Sequence, residues 1–296
     1  MTTVAFIGLG TTGPPMILNL LGASHKVIAF DASALAREHV RALGADVGSN
    51  AAAVADGADV VITLLPTGAQ VERVWSEVSP VLDQNALLID CSTISIESAR
   101  RAHQTASRHG LRAVDAPAFG CHLNAQQGEL TFFCGGDQSA FLSARPILGA
   151  MGKTVVHCGQ PGAGQAAKTC NSMFLGTSMI AVSEVFSLGE KLGLSHRALF
   201  DIVSTLSKHP WFQYCPVPGL VPNSPANDDY KPGLTTSSML NDLRLCQTAA
   251  RQAGVFTPLG WHTENIYEEF EQAGHGATDF SAIIQHLRSL TRYIGI

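Results

Sequence analysis

Up to about residue 160 the chain repeats one pattern: a short apolar run, then an Ala-rich stretch compatible with a helix. The runs are VAFIGLG at 4–10, KVIAFD at 26–31, DVVITLLP at 59–66, ALLIDC at 86–91 and LRAVDAP at 111–117. TFFCGG at 131–136 and TVVHCG at 154–159 read as further short strands. Between them lie segments such as SALAREHVRALG and SIESARRAHQTASRHG. Strands that are apolar nearly throughout need cover on both faces. Their alternation with helices predicts a parallel sheet between two helical layers.

After Gly164 the strand runs stop. Residues 165–193 form one helical stretch, apolar at Met173, Phe174, Met179, Ile180, Val182, Val185, Phe186 and Leu188. A helix apolar over most of its circumference is expected to be buried on several sides, between domains or subunits. Ser, Asn171 and Glu184 interrupt it, and no uninterrupted apolar run reaches the roughly 20 residues that span a bilayer. Further helices are expected near 196–207, 237–253, 259–272 and 279–292, with a Pro- and Asn-rich loop at 216–233. Trp211, Phe212 and Tyr214 read as packing or interface aromatics. The organisation predicted is an α/β domain over 1–163 and an all-helical domain over 164–296, joined by a long interdomain helix.

Composition narrows the function classes. Of 296 residues, 46% are hydrophobic and 15% charged, so much of the chain belongs inside a core or a subunit interface. The helical stretch at 165–193, apolar over most of its circumference, predicts a homodimer or homotetramer. A net charge of −5 argues against a general nucleic-acid binder, which needs a basic footprint. Seven dispersed cysteines without a CxxC pair fit reduced thiols in the cytoplasm, not a disulfide framework or a zinc site. The first strand begins by Thr3, which leaves no room for a signal peptide. No membrane partner is expected.

The first chemical signal is Gly8-Leu9-Gly10-Thr11-Thr12-Gly13, a G-x-G-x-x-G that follows a strand and opens a helix. Asp31 ends the next strand, 18 residues after Gly13. Such glycines let backbone N–H groups approach a pyrophosphate at a helix N-terminus. A carboxylate at Asp31 would accept from ribose hydroxyls and repel a 2′-phosphate. The context predicts a Rossmann-type domain that takes NAD in preference to NADP. Pro14 and Pro15 fall in the first helical turn, where missing N–H groups cost least.

Lys168 stands alone in GQAAKTCNSM at 164–173. Gly159 and Gly164 have the spacing of P-loop glycines, but Gln165 occupies the place of that motif's lysine. A Schiff-base role has no support beside a nicotinamide domain. The eleven histidines form neither HxxxH nor HExxH, so no metal site is expected, and His103, His109 and His196 read as exposed residues.

Taken together, the segments FIGLGTTGPPMILNL at 6–20, LIDCSTI at 88–94, DAPAFG at 115–120, GELTFFCGG at 128–136 and GAGQAAKTCNSM at 162–173 resemble the β-hydroxyacid dehydrogenases. PVPGLVPNSPANDDY at 216–230 and MLNDL at 239–243 point to their 3-hydroxyisobutyrate dehydrogenase branch. The resemblance runs over nearly the whole chain. It implies reversible NAD-dependent oxidation of a 3-hydroxy acid to its aldehyde or keto form. By the same resemblance Lys168 is the general acid/base and Asn171 assists it. Cofactor contacts carry over to the glycine loop (Gly8 to Gly13), Asp31, Leu65, Pro66, Gln70, Thr93, Leu234 and Asn241. Substrate contacts carry over to Ala118, Phe119, Gly120, Cys121, His122, Ser172 and Asp242. The chemistry agrees, because oxidising an alcohol needs a base for the hydroxyl proton while hydride leaves. An amine serves as that base only when neutral, which burial beside a positive charge favours.

The chain departs from the family pattern near that pocket. DAPVSGG is usual where Asp115-Ala116-Pro117-Ala118-Phe119-Gly120-Cys121 stands, so Phe119 replaces a hydroxyl and Cys121 a glycine. Ser172 replaces the second of two asparagines, Leu234 a phenylalanine and Asn241 a lysine. These changes predict a more apolar site and an altered substrate preference. Rival readings are reductases of tartronate semialdehyde, succinic semialdehyde, glyoxylate or imines, and serine dehydrogenases. A non-catalytic NAD(H)-binding sensor is the rival of a different class.

Overall fold

The computed structural model describes residues 1–207 and 215–291, so Trp211, Phe212 and Tyr214 lie outside the described residues. The chain divides into two compact units, Met1–Lys168 and Thr169–Ile296.

The first unit holds nine strands: β1 (Thr3–Ile7), β2 (Lys26–Phe30), β3 (Asp46–Val47), β4 (Val60–Thr63), β5 (Leu87–Asp90), β6 (Arg112–Asp115), β7 (Ala118–Phe119), β8 (Leu130–Gly135) and β9 (Gly152–Gly159). Its helices are α1 (Gly13–Gly22), α2 (Ala34–Ala42), α3 (Ala51–Ala55), α4 (Gly68–Val78), α5 (Ile96–Arg108), α6 (His122–Gln126) and α7 (Gln138–Met151). The sheet order is β3-β2-β1-β4-β5-β6-β8-β7, with β9 against β8. Strands from β3 to β6 are parallel, as the alternating pattern predicts.

The expectation of a parallel sheet fails at β8, which runs antiparallel to β6 and β7. Only residues 120–129 separate β7 from β8, and a parallel crossover needs a dozen residues or more. After β8, α7 supplies a crossover and β9 returns parallel.

Strands β1, β2, β4, β5 and β6 feed two cores. In β1, Val4 and Phe6 join Met16, Ile17, Leu20 and Leu148 on one face. Ala5 and Ile7 join Val54, Val71, Trp75 and Ala102 on the other. Helix starts follow local side-chain chemistry. Thr67 Oγ1 accepts from Gln70 N–H to cap α4, and Ser95 Oγ accepts from Ser98 N–H to cap α5. Pro14 and Pro15 occupy the first turn of α1, where they were expected.

Helix α8 (Ala163–Lys191) begins in the first unit and continues through the second. At 29 residues it is long and apolar enough to cross a bilayer by length and mean composition alone, a test that a buried core helix also passes, while its apolar run is interrupted as expected. Its serines, asparagine and glycines dilute the apolar character without ending the helix. Within one chain it buries Leu175, Met179, Ile180 and Phe186 but leaves Phe174, Val185 and Leu188 exposed, so its cover is partial.

The second unit continues with α9 (His196–Ser207), α10 (Thr236–Ala253), α11 (Pro258–Phe270) and α12 (Ile283–Thr291). The Pro-rich loop contains a 3-10 turn at Pro225–Asp228, and another at Phe280–Ala282 precedes α12. Leu240, Leu243, Tyr267, Phe270 and Ile283 are buried there.

Candidate active site

Beyond the carboxyl ends of β1, β2, β4 and β5 lies a cavity of about 590 Å³. It sits where the strand order turns back on itself, beside β1, the usual ligand position in an open α/β sheet. Gly8 lines it with φ of +85°, and a Cβ there would meet the Leu64 carbonyl oxygen at 2.3 Å. Only glycine fits this turn. A Cβ on Gly10 would meet nothing within 4 Å, which leaves the approach to α1 open.

The Asp31 carboxylate closes the turn, since Oδ2 accepts from Leu9 N–H at 2.8 Å and Oδ1 from Ser33 N–H at 2.8 Å. Arg37 is drawn to the backbone, donating to the carbonyls of Asp31 and Ala32. A carboxylate at the cavity wall, with the nearby guanidinium engaged by carbonyls, fits a ribose diol better than a 2′-phosphate. The residues present therefore fit NAD.

Of the cofactor residues named from sequence, Gly8, Gly10, Thr12, Asp31, Leu65, Pro66, Gln70 and Thr93 line this cavity. Leu9 is fully buried in the core and offers only its N–H, which Asp31 takes. Gly13 is buried as the first residue of α1. Thr11 is exposed, and its carbonyl lies 3.2 Å from His122 Nδ1. Arg73 also lines the cavity and was missed, although it lies one turn beyond Gln70 on α4.

At the other end of the cavity Ala118 and Gly120 contribute lining. Lys168, only 6% exposed, donates from Nζ to the Ala118 carbonyl at 3.3 Å. The same Nζ lies 5.1 Å from the centroid of the Phe119 ring. Cys121 turns to α6, where its N–H donates to Asn124 Oδ1 at 2.8 Å and its thiol lies 2.9 Å from the same oxygen. His122 faces the glycine loop and lines a separate cavity of about 330 Å³ with Thr11, Pro14 and His39.

Behind this surface runs a buried polar network. Asp90 Oδ1 accepts from Thr63 Oγ1 at 2.8 Å and from Ser92 Oγ at 2.6 Å. Trp75 Nε1 donates to Thr63 Oγ1 at 3.1 Å. Burial pushes the Asp90 carboxyl up to about 7. Burial also holds the Cys91 thiol well above its ordinary range. His103, expected at the surface, is 9% exposed, with Nε2 3.0 Å from Asp115 Oδ1. It shares the inward face of α5 with Ala99, Ala102 and Ala106, small residues that bring the helix close to the sheet. His109 is exposed as expected, and His196 is intermediate, beside Glu190.

In the second unit Asn171 Nδ2 is buried without a hydrogen-bond partner among the described residues, three positions beyond Lys168 along α8. Ser172 Oγ donates to Asp242 Oδ2 at 2.7 Å, both side chains being buried. Leu234 N–H donates to Asp279 Oδ2 at 3.2 Å, while Asn241 is exposed on α10. Among the described residues no cluster of His, Cys, Asp and Glu could hold a metal ion.

Comparison with known proteins agrees with this geometry. Residues 3–159 match the NAD binding domain of 6-phosphogluconate dehydrogenase, and residues 162–287 match the NAD-binding domain of NADP-dependent 3-hydroxyisobutyrate dehydrogenase. A probable 3-hydroxyisobutyrate dehydrogenase of Mycobacterium tuberculosis is 46% identical over 98% of this chain and 99% of its own length. The chain belongs to the 3-hydroxyisobutyrate dehydrogenase family. A solved structure of the Mycobacterium tuberculosis 3-hydroxyisobutyrate dehydrogenase with L-serine superposes with a TM-score of 0.94, covering 97% of this chain and 99% of that one. An NAD-dependent L-serine dehydrogenase of Pseudomonas aeruginosa is 38% identical over 96% of this chain and 97% of its own. As a member of this family the chain is an NAD-dependent oxidoreductase of the CH–OH donor class.

Proposed function

We propose that this family member interconverts a small primary 3-hydroxy acid and its aldehyde with NAD, and that Lys168 carries the hydroxyl proton. The observation that supports this reading most is Lys168 itself. It is a buried lysine whose Nζ is held at the carbonyl of Ala118, a residue of the cofactor cavity wall. NAD accepts the hydride when bound. Lys168 takes the hydroxyl proton in oxidation and returns it in reduction, and the buried amide of Asn171 has free capacity to orient the hydroxyl. The L-serine of the solved relative and 3-hydroxyisobutyrate share a CH₂OH group β to a carboxylate, which supports this substrate class.

Phe119 favours a second, narrower reading. Its ring beside Nζ makes an apolar wall where the family pattern has a serine, so a bulkier or less carboxylate-dependent hydroxy compound fits better. The deciding experiment is Lys168→Ala. General acid–base catalysis contributes about 10²–10⁴-fold, so turnover should fall by that order while NADH fluorescence titration still shows binding. Turnover that survives the substitution would end the proton-carrier reading. A wild-type chain that binds NADH and turns over no hydroxy acid would instead be the sensor.

A further inference from the structure

The start of α8 is held by an arrangement that the reaction does not itself use. The Asp115 carboxylate, at the end of β6, is 1% exposed and receives two backbone N–H groups. Gly162 donates to Oδ1 at 2.8 Å and Gln165 donates to Oδ2 at 3.0 Å. A negative charge at the first turn of a helix meets donors that otherwise lack intrahelical partners.

The Gln165 side chain makes a second attachment. Its Nε2 donates to the Ser92 carbonyl at 2.8 Å and its Oε1 accepts from Ile94 N–H at 3.2 Å. One amide thus pairs with the backbone on both sides of Thr93, a residue of the cofactor cavity wall. The approach is close enough to demand glycine at 164. A Cβ there would lie 2.3 Å from the Phe133 carbonyl oxygen and 2.5 Å from that of Asp115.

Lys168 lies three positions after Gln165, and Ala118 three positions after Asp115. The two segments therefore meet twice: Gln165 N–H on the Asp115 carboxylate, and Lys168 Nζ on the Ala118 carbonyl. The first contact fixes the rotation and height of the helix from which the second is made. We propose that Gln165 and Asp115 are positioning residues that set Lys168 Nζ against the cofactor cavity. This rests on the reading of Lys168 as proton carrier. Gln165 ties the catalytic helix to the 92–94 segment, so cofactor wall and proton carrier share one anchor. His103 braces that anchor through Asp115 Oδ1.

The test compares Gln165→Ala, Gln165→Asn and Asp115→Asn with wild type and Lys168→Ala, using 3-hydroxyisobutyrate and L-serine. Asparagine is one methylene too short to reach both Ser92 and Ile94, so it should behave like alanine. Misplacement of a catalytic group by about 1 Å costs about 10²-fold, and kcat should fall by that order in both Gln165 variants while NADH affinity, which loses only the tie at Thr93, falls less. The isotope effect on kcat from substrate deuterated at the CH₂OH carbon, which gives up the hydride to NAD, should rise, since proton and hydride steps become limiting. Crystals of Gln165→Ala should show Nζ away from the Ala118 carbonyl. A lowered unfolding midpoint with kcat and isotope effect unchanged, or an unmoved Nζ, would overturn the proposal. Turnover retained in Lys168→Ala would instead overturn the proton-carrier reading on which it rests.

Discussion

Phe119 and Lys168 are paired: the ring centroid lies 5.1 Å from Nζ, and Phe133 backs the ring at 6.4 Å. A cation over an aromatic face gains about 0.5–2 kcal/mol, more when desolvated. In the family pattern this position is a serine, whose hydroxyl can meet a carboxylate. Phe119→Ser should therefore raise kcat/KM on 3-hydroxyisobutyrate by about tenfold, the worth of one hydrogen bond of about 1.4 kcal/mol to a charged group. Steady-state kinetics of both proteins on 3-hydroxyisobutyrate and on longer-chain 3-hydroxy acids check this. An unchanged preference would remove Phe119 as the determinant.

Asp31 predicts cofactor choice. Its carboxylate accepts from Leu9 and Ser33 and stands at the cavity wall. Asp31→Ala removes the acceptor for the ribose and the repulsion toward a 2′-phosphate. NADH affinity should fall about 10–100-fold, as for losing a charged hydrogen bond of about 1.5–3 kcal/mol, and the NADH to NADPH preference should narrow. Fluorescence titration with both nucleotides measures it, and an unaltered ratio would contradict the role.

Much of the nucleotide half was legible because its signals are local. The glycine loop, Asp31 and the apolar runs each carry their meaning within a few residues. The direction of β8 was not legible, since Thr131–Cys134 has the same apolar character in either orientation and only the short connection decides. The burial of His103 is not legible because the polar run His103-Gln104-Thr105 between Ala102 and Ala106 reveals nothing of a carboxylate on another strand. Gln165 entered the sequence reading only as the residue that spoils a P-loop. Its partners lie 50 to 73 residues away, beyond any local pattern. Cys121 and His122 are expected at the substrate from sequence, and their contacts here are with Asn124 and the Thr11 carbonyl.

Asp90 makes stability depend on pH in an unusual direction. Its carboxyl is raised from the model-peptide range to about 7, and Oδ2 is buried without a hydrogen-bond partner. Between about pH 4 and pH 7 the folded chain holds a proton here that the unfolded chain has released. Stability from this group is therefore present at low pH and lost as pH rises toward 7, at about 1.4 kcal/mol per pH unit. Asp90→Asn removes that slope. Urea unfolding of both proteins at pH 5 and pH 7.5 should show the variant gaining on wild type at the higher pH. Parallel profiles would refute it.

Ser172 and Asp242 make a buried pair that the family's asparagine would make differently. Ser172→Ala leaves the buried Asp242 Oδ2 without this donor, at a cost of about 1–3 kcal/mol. Thermal unfolding should show a lowered midpoint together with reduced kcat/KM. A midpoint that does not move would show that solvent readily replaces the hydroxyl.

Helix α8 carries a prediction about assembly. Phe174, Ser178, Ala181, Val185 and Leu188 recur at alternating spacings of four and three, and Leu192 continues the series just past the helix end. Val185, Leu188 and Leu192 are 45%, 61% and 70% exposed, so the C-terminal part of this stripe presents apolar side chains at the surface of one chain. A stripe with this heptad spacing pairs with another helix, and its small residues Ser178 and Ala181 permit close approach. A second copy of the chain offers the same stripe, and two-fold association would bury both at once. Sedimentation velocity at micromolar concentration should show a dimer or tetramer, and Val185→Glu combined with Leu188→Glu should shift it toward monomer. A wild-type chain that sediments only as monomer would refute the association. If the double variant kept the wild-type mass, the contact would lie on another face.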